Sequence, residues 1–273
     1  MSKPWRQQEP FRAWFWWALL LSSLLPATIA YGAEPVYTYE IVQRYPHDQE
    51  AFTQGLLFSD GVFYESTGLY GRSSLRRVAV ESGEVLQMRK LPLTYFGEGL
   101  TLWAERLIQI TWREEVALVY DRESFELLET WKYEGEGWGL THDGQQLIMS
   151  SGSSFLTFRD PETFAVLGEV EVIGHLGPVE MLNELAYIEG EVWANIWLTD
   201  MIVRVDPGSG QVLGWVDLTG LLSDEDRQGH TVDVLNGIAY DSNQQRIFVT
   251  GKLWPMMYEI RVLPLGAERD TSF

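Results

Sequence analysis

Beyond residue 40 the chain alternates apolar and polar residues in short runs broken by Gly, Asp, Asn and Ser. That period of two predicts half-buried strands joined by turns, and no long helical period competes with it. Five stretches, FTQGLLFSDGVFYEST, FGEGLTLWAERLIQIT, GWGLTHDGQQLIMSS, LNELAYIEGEVWANIW and LNGIAYDSNQQRIFVTG, share one template. Each has a small or polar residue, a Gly or Glu, two or three apolar residues, a turn and a second apolar strand. Anchored at Gly55, Gly99, Gly139, Glu184 and Gly237, they recur at spacings of 44, 40, 45 and 53 residues. One four-stranded propeller blade takes roughly 40 to 50 residues. Second hairpins follow in SLRRVAVESGEVLQM, VALVYDRESFELLETW, FLTFRDPETFAVLGEV and IVRVDPGSGQVLGWV, with Ser-Gly, Asp-Arg, Asp-Pro and Gly-Ser-Gly at the turns.

The expectation is therefore an all-β, five-bladed β-propeller filling residues 34–273 as one domain. A radial array must protect its terminal edges, so the early strand VYTYEIVQRYP is expected to complete the last blade beside MYEIRVL. Residues 219–231, TGLLSDEDRQGHT, form the one longer polar insertion.

A propeller gathers corresponding loops around one channel mouth, so residues far apart in sequence converge when they share a repeat position. By that rule Gln54, Glu98, Trp138, Asn183 and Asn236 meet at one end. Beside them stand Phe52, Phe96, Trp112, Trp197, Lys252 and Trp254. Aromatic walls with a few convergent polar groups suit a small-molecule or peptide-end site. Within such walls, desolvation raises the pKa of Glu98 toward the range in which a carboxylate shuttles protons near neutral pH. Taken singly, each residue has a plainer reading: Trp as core, Glu98 and the two Asn as turn residues, Lys252 as a surface lysine. Only the shared register argues for a site.

The 273 residues carry 39 acidic against 20 basic side chains, a formal charge of −19. That balance excludes nucleic acid as a partner, because binding a phosphate backbone relies on Lys and Arg. The first residues, MSKPWRQQEPFR, are basic and polar, and AWFWWALLLSSLLPATIA is apolar and ends in small residues. This layout is that of a secretory signal over residues 1–33, cleaved after Ala30 or Ala33. An uncleaved membrane anchor is the competing reading, disfavoured because Ser22, Ser23 and Pro26 interrupt the run. With no cysteine and no Asn-x-Ser/Thr acceptor, an exported chain fits a bacterial periplasm, or secretion, better than a eukaryotic route. No stable membrane insertion is expected after cleavage, and the mature chain is expected to be a monomer.

Other chemistries find less support. His47, His142, His175 and His230 lack paired metal-ligand spacing, and there is no GxSxG elbow. Paired carboxylates drawn from Glu98, Glu136, Glu180 and Glu184 would need a separation that sequence does not supply. DPGSGQ lacks the ligand pattern of a calcium loop.

FTQGL, YFGEGLT, ITWR, GEGWGLTHDG, VEMLNELAYIEGEVWANIWLTDMIVRVDP and NGIAYD…IFVTGKLWP, in order over residues 37 to about 263, resemble the plant-type and bacterial glutaminyl-peptide cyclotransferases. The resemblance implies a five-bladed propeller that cyclises N-terminal glutaminyl residues of peptides or proteins to pyroglutamate, releasing ammonia. It implies that Glu98 is the proton-transferring carboxylate and that Trp112 donates its indole N–H to the developing oxyanion. Phe52, Phe96, Trp138 and Trp197 look like the aromatic cup around the glutaminyl stem. Gln54, Asn183 and Lys252 look like the groups that place the amide and the free amine. No cofactor or catalytic metal is implied, and a structural Ca²⁺ in the channel is compatible with it. A non-catalytic periplasmic binding propeller and a metal-dependent propeller hydrolase or lactonase fit the same fold. The first would tolerate loss of Glu98, and the second would lose activity to chelators.

One prediction concerns export. N-terminal sequencing of the protein recovered from a Gram-negative host is expected to start at Tyr31 or Glu34; a chain still starting at Met1 in the membrane fraction would show an anchor instead.

Overall fold

The computed structural model describes residues 1–2 and 33–265. The signal segment at residues 1–33 lies almost wholly outside the described residues. No helix among those described is long and apolar enough to cross a membrane.

The strands fall into four-stranded antiparallel units in chain order. Strand β1 (Val36–Pro46) comes first and belongs to the last unit. The first unit is β2 (Thr53–Ser59), β3 (Val62–Thr67), β4 (Ser74–Ala79) and β5 (Val85–Lys90). The second is β6 (Gly97–Trp103), β7 (Arg106–Thr111), β8 (Val116–Asp121) and β9 (Leu127–Lys132). The third is β10 (Leu140–His142), β11 (Leu147–Met149), β12 (Phe155–Arg159) and β13 (Val166–Glu171), followed by a small ribbon, β14 (Ile173–Gly174) and β15 (Gly177–Pro178). The fourth is β16 (Leu182–Ile188), β17 (Glu191–Ile196), β18 (Met201–Val205) and β19 (Val212–Asp217). The last is β20 (Leu235–Asp241), β21 (Arg246–Gly251) and β22 (Met256–Pro264), completed by β1.

As the terminal-edge argument requires, β1 pairs antiparallel with β22 from Tyr37↔Pro264 to Pro46↔Met256. It also touches β19 in parallel at Val36↔Trp215, joining the last two units into one eight-stranded sheet. The polar insertion at 219–231 contains one short helical turn, α1 (Asp224–Arg227), capped by Ser223.

The first strands of the units, β2, β6, β10, β16 and β20, pack side by side in that order, and β20 returns onto β2. The inner ring is closed. Apolar clusters fill the junctions between neighbouring units: Leu75 with Leu107 and Phe125, Ile110 with Leu147 and Phe164, Val172 with Val203, Trp193 with Tyr258, and Phe63 with Phe248. The core is therefore a set of inter-unit seams.

Glycine marks the tightest backbone approach. A Cβ on Gly99 would stand 2.4 Å from the amide of Leu140, and one on Gly139 would stand 2.1 Å from the carbonyl oxygen of Asn183. Both are closer than any real Cβ tolerates, so the repeated anchor glycine of the sequence is a spacing requirement.

At the fourth anchor the chain places Glu184 instead. It is buried, and its two oxygens accept from Leu56 N (3.2 Å) and Ile238 N (2.8 Å). One carboxylate thus links three units. Burial drives its pKa well above the ordinary carboxylate value, against the pull of the two amide donors. Glu184→Leu would leave both amides unpaired, and each such buried donor costs about 1–3 kcal/mol. Urea unfolding is expected to show that loss, with Glu184→Gln, which keeps an acceptor, losing less; equal losses would contradict the linking role.

Candidate functional site

Four of the five inner strands break register at the same place. The shifts fall between Thr53 and Gly55, Gly97 and Leu100, Leu182 and Leu185, and Leu235 and Ile238. These are β-bulges, which re-aim side chains at the cost of ladder bonds. The residues re-aimed include Gln54, Glu98, Asn183 and Asn236. The freed amides find partners in neighbouring units, as when Gly99 N donates to Trp138 O (2.7 Å) and Gly237 N donates to Asn195 Oδ1 (3.0 Å). In the unit containing β10 the named strand starts beyond this level, at Leu140↔Met149.

Just outside each bulge lies one more rung of backbone pairing. Gly68 N donates to Phe52 O, Trp112 N to Phe96 O, Trp138 N to Ser150 O, Trp197 N to Met181 O, and Lys252 N to Val234 O. These rungs carry Phe52, Phe96, Trp112, Trp197 and Lys252. Trp138 stands where the repeat template puts it: its N donates to Ser150 O while Ser150 N donates to Gly139 O (3.1 Å), so Trp138 and Gly139 together oppose one residue. The chain then turns sharply: Leu69, Leu198 and Leu253, each following a rung residue, have φ of 82°, 67° and 61°. Leucine rarely adopts this left-handed conformation, so these site loops carry backbone strain.

Of the eleven residues singled out in the sequence, nine, Phe52, Gln54, Phe96, Glu98, Trp112, Trp138, Asn183, Trp197 and Lys252, line one cavity of ≈ 360 Å³, and Asn236 and Trp254 do not. Asp233, Leu69 and Leu198 line it too and were not anticipated. Asp233 is brought there as the partner of the Lys252 rung, its N donating to Lys252 O (2.9 Å).

The aromatic wall interlocks edge to face. Phe52 meets Phe96 at 6.2 Å, Phe96 meets Trp112 at 5.5 Å, and Trp138 meets Trp197 at 5.4 Å. Such geometry suits the ring quadrupoles. Tyr70 adds a further edge to Phe96 at 5.4 Å. Trp254 stands apart, its indole N–H donated to Asp233 O (2.9 Å).

Glu136 corrects one expectation. Its Oε2 accepts from Trp112 Nε1 (2.8 Å) and Trp138 Nε1 (3.1 Å), while Oε1 accepts from Arg113 Nε (2.8 Å). The indole N–H of Trp112 is thus bound to a carboxylate, a stronger acceptor than a carbonyl, and is not free to serve as an oxyanion donor. Burial works against ionisation of Glu136, yet the hydrogen bonds from Trp138, Trp112 and Arg113 hold its pKa below the ordinary value. Arg113 also covers the Trp112 ring at 3.8 Å.

At the cavity floor Glu98 is only 4% exposed. Its Oε1 accepts from Gln54 Nε2 (3.1 Å), and Gln54 Oε1 accepts from Asn236 Nδ2 (3.3 Å). Burial pushes its pKa well above the ordinary carboxylate value; Lys252 opposes this, and Glu114 and Glu136 add to it. Lys252 is equally buried, with its Nζ 5.0 Å from the centre of the Phe52 ring. Burial lowers its pKa, while Glu98 and Asp233 raise it. The two groups therefore face one desolvated space with both charges weakened. Asn183 Oδ1 is buried with no hydrogen-bond partner in the protein, an acceptor left for something that enters. Among the described residues no cluster of three or more His, Asp or Glu is placed to hold a metal.

The sequence model of the family described as Glutamine cyclotransferase matches residues 16–262. A glutaminyl-peptide cyclotransferase of Arabidopsis thaliana is 46% identical over 232 residues, covering 84% of this chain and 72% of its own length. The crystal structure of Myxococcus xanthus glutaminyl cyclase superposes with a TM-score of 0.80 at 38% identity, covering 85% of this chain and 99% of that one.

Because folding raises the Glu98 pKa, the folded state holds that proton more tightly than the unfolded chain does. Stability therefore falls as pH rises from the unfolded value through the folded one. Glu98→Gln removes this penalty: its urea midpoint is expected above that of the wild type at neutral pH, with the gap closing below the ordinary carboxylate range. A midpoint below the wild type at neutral pH would contradict the desolvated carboxyl.

Proposed function

The chain belongs to the glutamine cyclotransferase family, and from that premise we propose how its site performs the reaction. It is a glutaminyl-peptide cyclotransferase, acting on N-terminal glutaminyl residues of peptides or proteins. The α-amine nitrogen attacks the side-chain carbonyl carbon, the new C–N bond closes a five-membered ring, the old C–N bond breaks, and ammonia leaves.

Glu98 carries the proton between the two nitrogens. As the carboxylate it takes a proton from the attacking amine, and as the acid it gives one to the departing amide nitrogen. The observation that carries this reading is a carboxyl buried on the cavity floor, with one oxygen oriented by Gln54. Its raised pKa suits a group that must both accept and donate. Lys252, across the same space, polarises the carbonyl and stabilises the oxyanion, the task first expected of Trp112. Asn183 Oδ1 accepts from a substrate N–H. Phe52, Phe96, Trp138 and Trp197 enclose the aliphatic stem, with Trp112 as locked wall. The reaction is intramolecular, so holding the chain in its attacking conformation removes much of the barrier.

The five four-stranded units read as blades of a propeller; the closed inner ring and the completion of the last unit by β1 support that reading. The chemistry proceeds without cofactor, with Ca²⁺, if present, serving structure in the channel. The signal layout of residues 1–33 supports a periplasmic or secreted protein.

The test is ammonia release with formation of a pyroglutamyl product from a short Gln-initiated peptide. Glu98→Gln is expected to lower turnover by about 10²–10⁴-fold, and chelator to leave it unchanged. Since the base must be ionised, kcat/KM is expected to rise with pH through a limb above the ordinary carboxylate range. Retained turnover in Glu98→Gln, or abolition by chelator, would contradict the proposal.

A further inference from the structure

Behind the cavity wall lies a second group of buried charges that the reaction does not touch. His47, in the turn after β1, is 8% exposed, and Glu65 on β3 is 2% exposed. His47 Nδ1 lies 2.7 Å from Trp254 O, and Nε2 lies 3.0 Å from Glu65 Oε1. Both partners are acceptors, so both ring nitrogens donate and the ring is an imidazolium. Burial alone would disfavour that charge, but Glu65 and the Trp254 carbonyl reverse the balance and raise the pKa. Glu65 Oε1 also accepts from Thr53 Oγ1 (2.7 Å), and its other oxygen lies 3.8 Å from Arg76, which pairs with Asp48 at 2.7 Å. Two cations and two anions thus balance in one cluster, buried except at the half-buried Asp48.

The cluster joins the two segments that face each other across one side of the site. Lys252 heads the turn before β22, and His47 grips that turn at Trp254 O and, through its backbone N, at Pro255 O (2.9 Å). Phe52 and Gln54 lie on the other segment, which Leu253 N reaches by donating to Ala51 O (2.7 Å) and which Glu65 holds through Thr53. Lys252 Nζ sits over the Phe52 ring as a result. The left-handed φ of 61° at Leu253 has to be held by such outside contacts.

We propose that His47 is a positioning residue: bridging the Trp254 carbonyl and the Glu65 carboxylate, it fixes the turn that carries Lys252 against the segment that carries Phe52 and Gln54, and so sets the distance between Lys252 and Glu98. This rests on the roles given above to Glu98 and Lys252. Loss of the bridge lets the Lys252 turn withdraw, which weakens the one cation that favours ionised Glu98. The groups acting on Glu98 are Lys252, Glu114 and Glu136, with Gln54 as hydrogen-bond donor and Tyr70 and Tyr133 within its electrostatic reach. Of these, only Lys252 sits on the turn that His47 holds.

The experiment compares His47→Asn, His47→Gln and Lys252→Met in the full chain, by kcat, KM and the acid limb of kcat/KM, below each variant's melting temperature. The amide of Asn reaches the Nδ1 position and keeps the Trp254 bond; that of Gln reaches the Nε2 position and loses it. We expect His47→Gln and His47→Asn, each of which breaks one end of the bridge, to lower kcat/KM by about tenfold or more and to move the acid limb to higher pH, as Lys252→Met does. An unmoved limb in His47→Gln while Lys252→Met moves it would overturn the tether. An unmoved limb in Lys252→Met would overturn the role given to Lys252 and the tether with it. Should His47→Gln fail to fold, His47→Ala with added imidazole decides: return of the wild-type limb supports the tether, and a limb insensitive to imidazole overturns it.

Discussion

The closest approach of neighbouring inner strands is the constraint on which the molecule depends. Where Gly99 meets Leu140 and Gly139 meets Asn183 there is no room for a side chain. Adjacent units can close the ring only if backbone faces backbone there. Bulges at the same level free the amides that make these crossings, as Gly99 N does with Trp138 O. The same bulges turn Gln54, Glu98 and Asn183 toward the channel mouth. Ring closure and site construction are one local distortion, repeated around the axis.

Burial then gives those side chains their chemistry. Glu98 and Lys252 are desolvated together, and each is shifted toward its neutral form by burial and back toward charge by the other. Glu136 escapes that fate because two indole N–H groups and Arg113 satisfy it. Glu65 escapes it through His47, Thr53 and Arg76. Carboxylates with full sets of donors thus hold the frame, and Glu98, buried with a single donor, stands on the cavity floor, where the proposed reaction needs a proton carried. Glu184 is intermediate: both of its oxygens are bonded, yet its pKa remains high, and it joins units away from the cavity.

The strand period and the repeat spacing made the all-β architecture and the role of β1 legible, because alternation and turn chemistry are local properties. The shared register of Gln54, Glu98 and Asn183 was legible for the same reason. What sequence could not show was which donor each acceptor meets. Trp112 and Trp138 are only two of many aromatic residues until Glu136 is seen between them. Asp233 carries no repeat or motif signal, and only its pairing with the Lys252 rung brings it to the site. His47 drew attention only for lacking metal-ligand spacing, and its partners are 18 and 207 residues away.

The central claim is that Glu98 is a desolvated carboxyl whose own titration controls the reaction. The most direct measurement is ¹³C NMR titration of glutamate-labelled protein, with Glu98→Gln assigning the resonance, beside the pH dependence of kcat/KM. That limb reports ionisation of the free enzyme. The account predicts one raised pKa, well above the ordinary carboxylate value, found in both measurements. A Glu98 resonance that titrates in the ordinary range, or a kinetic limb that does not coincide with it, would contradict the account.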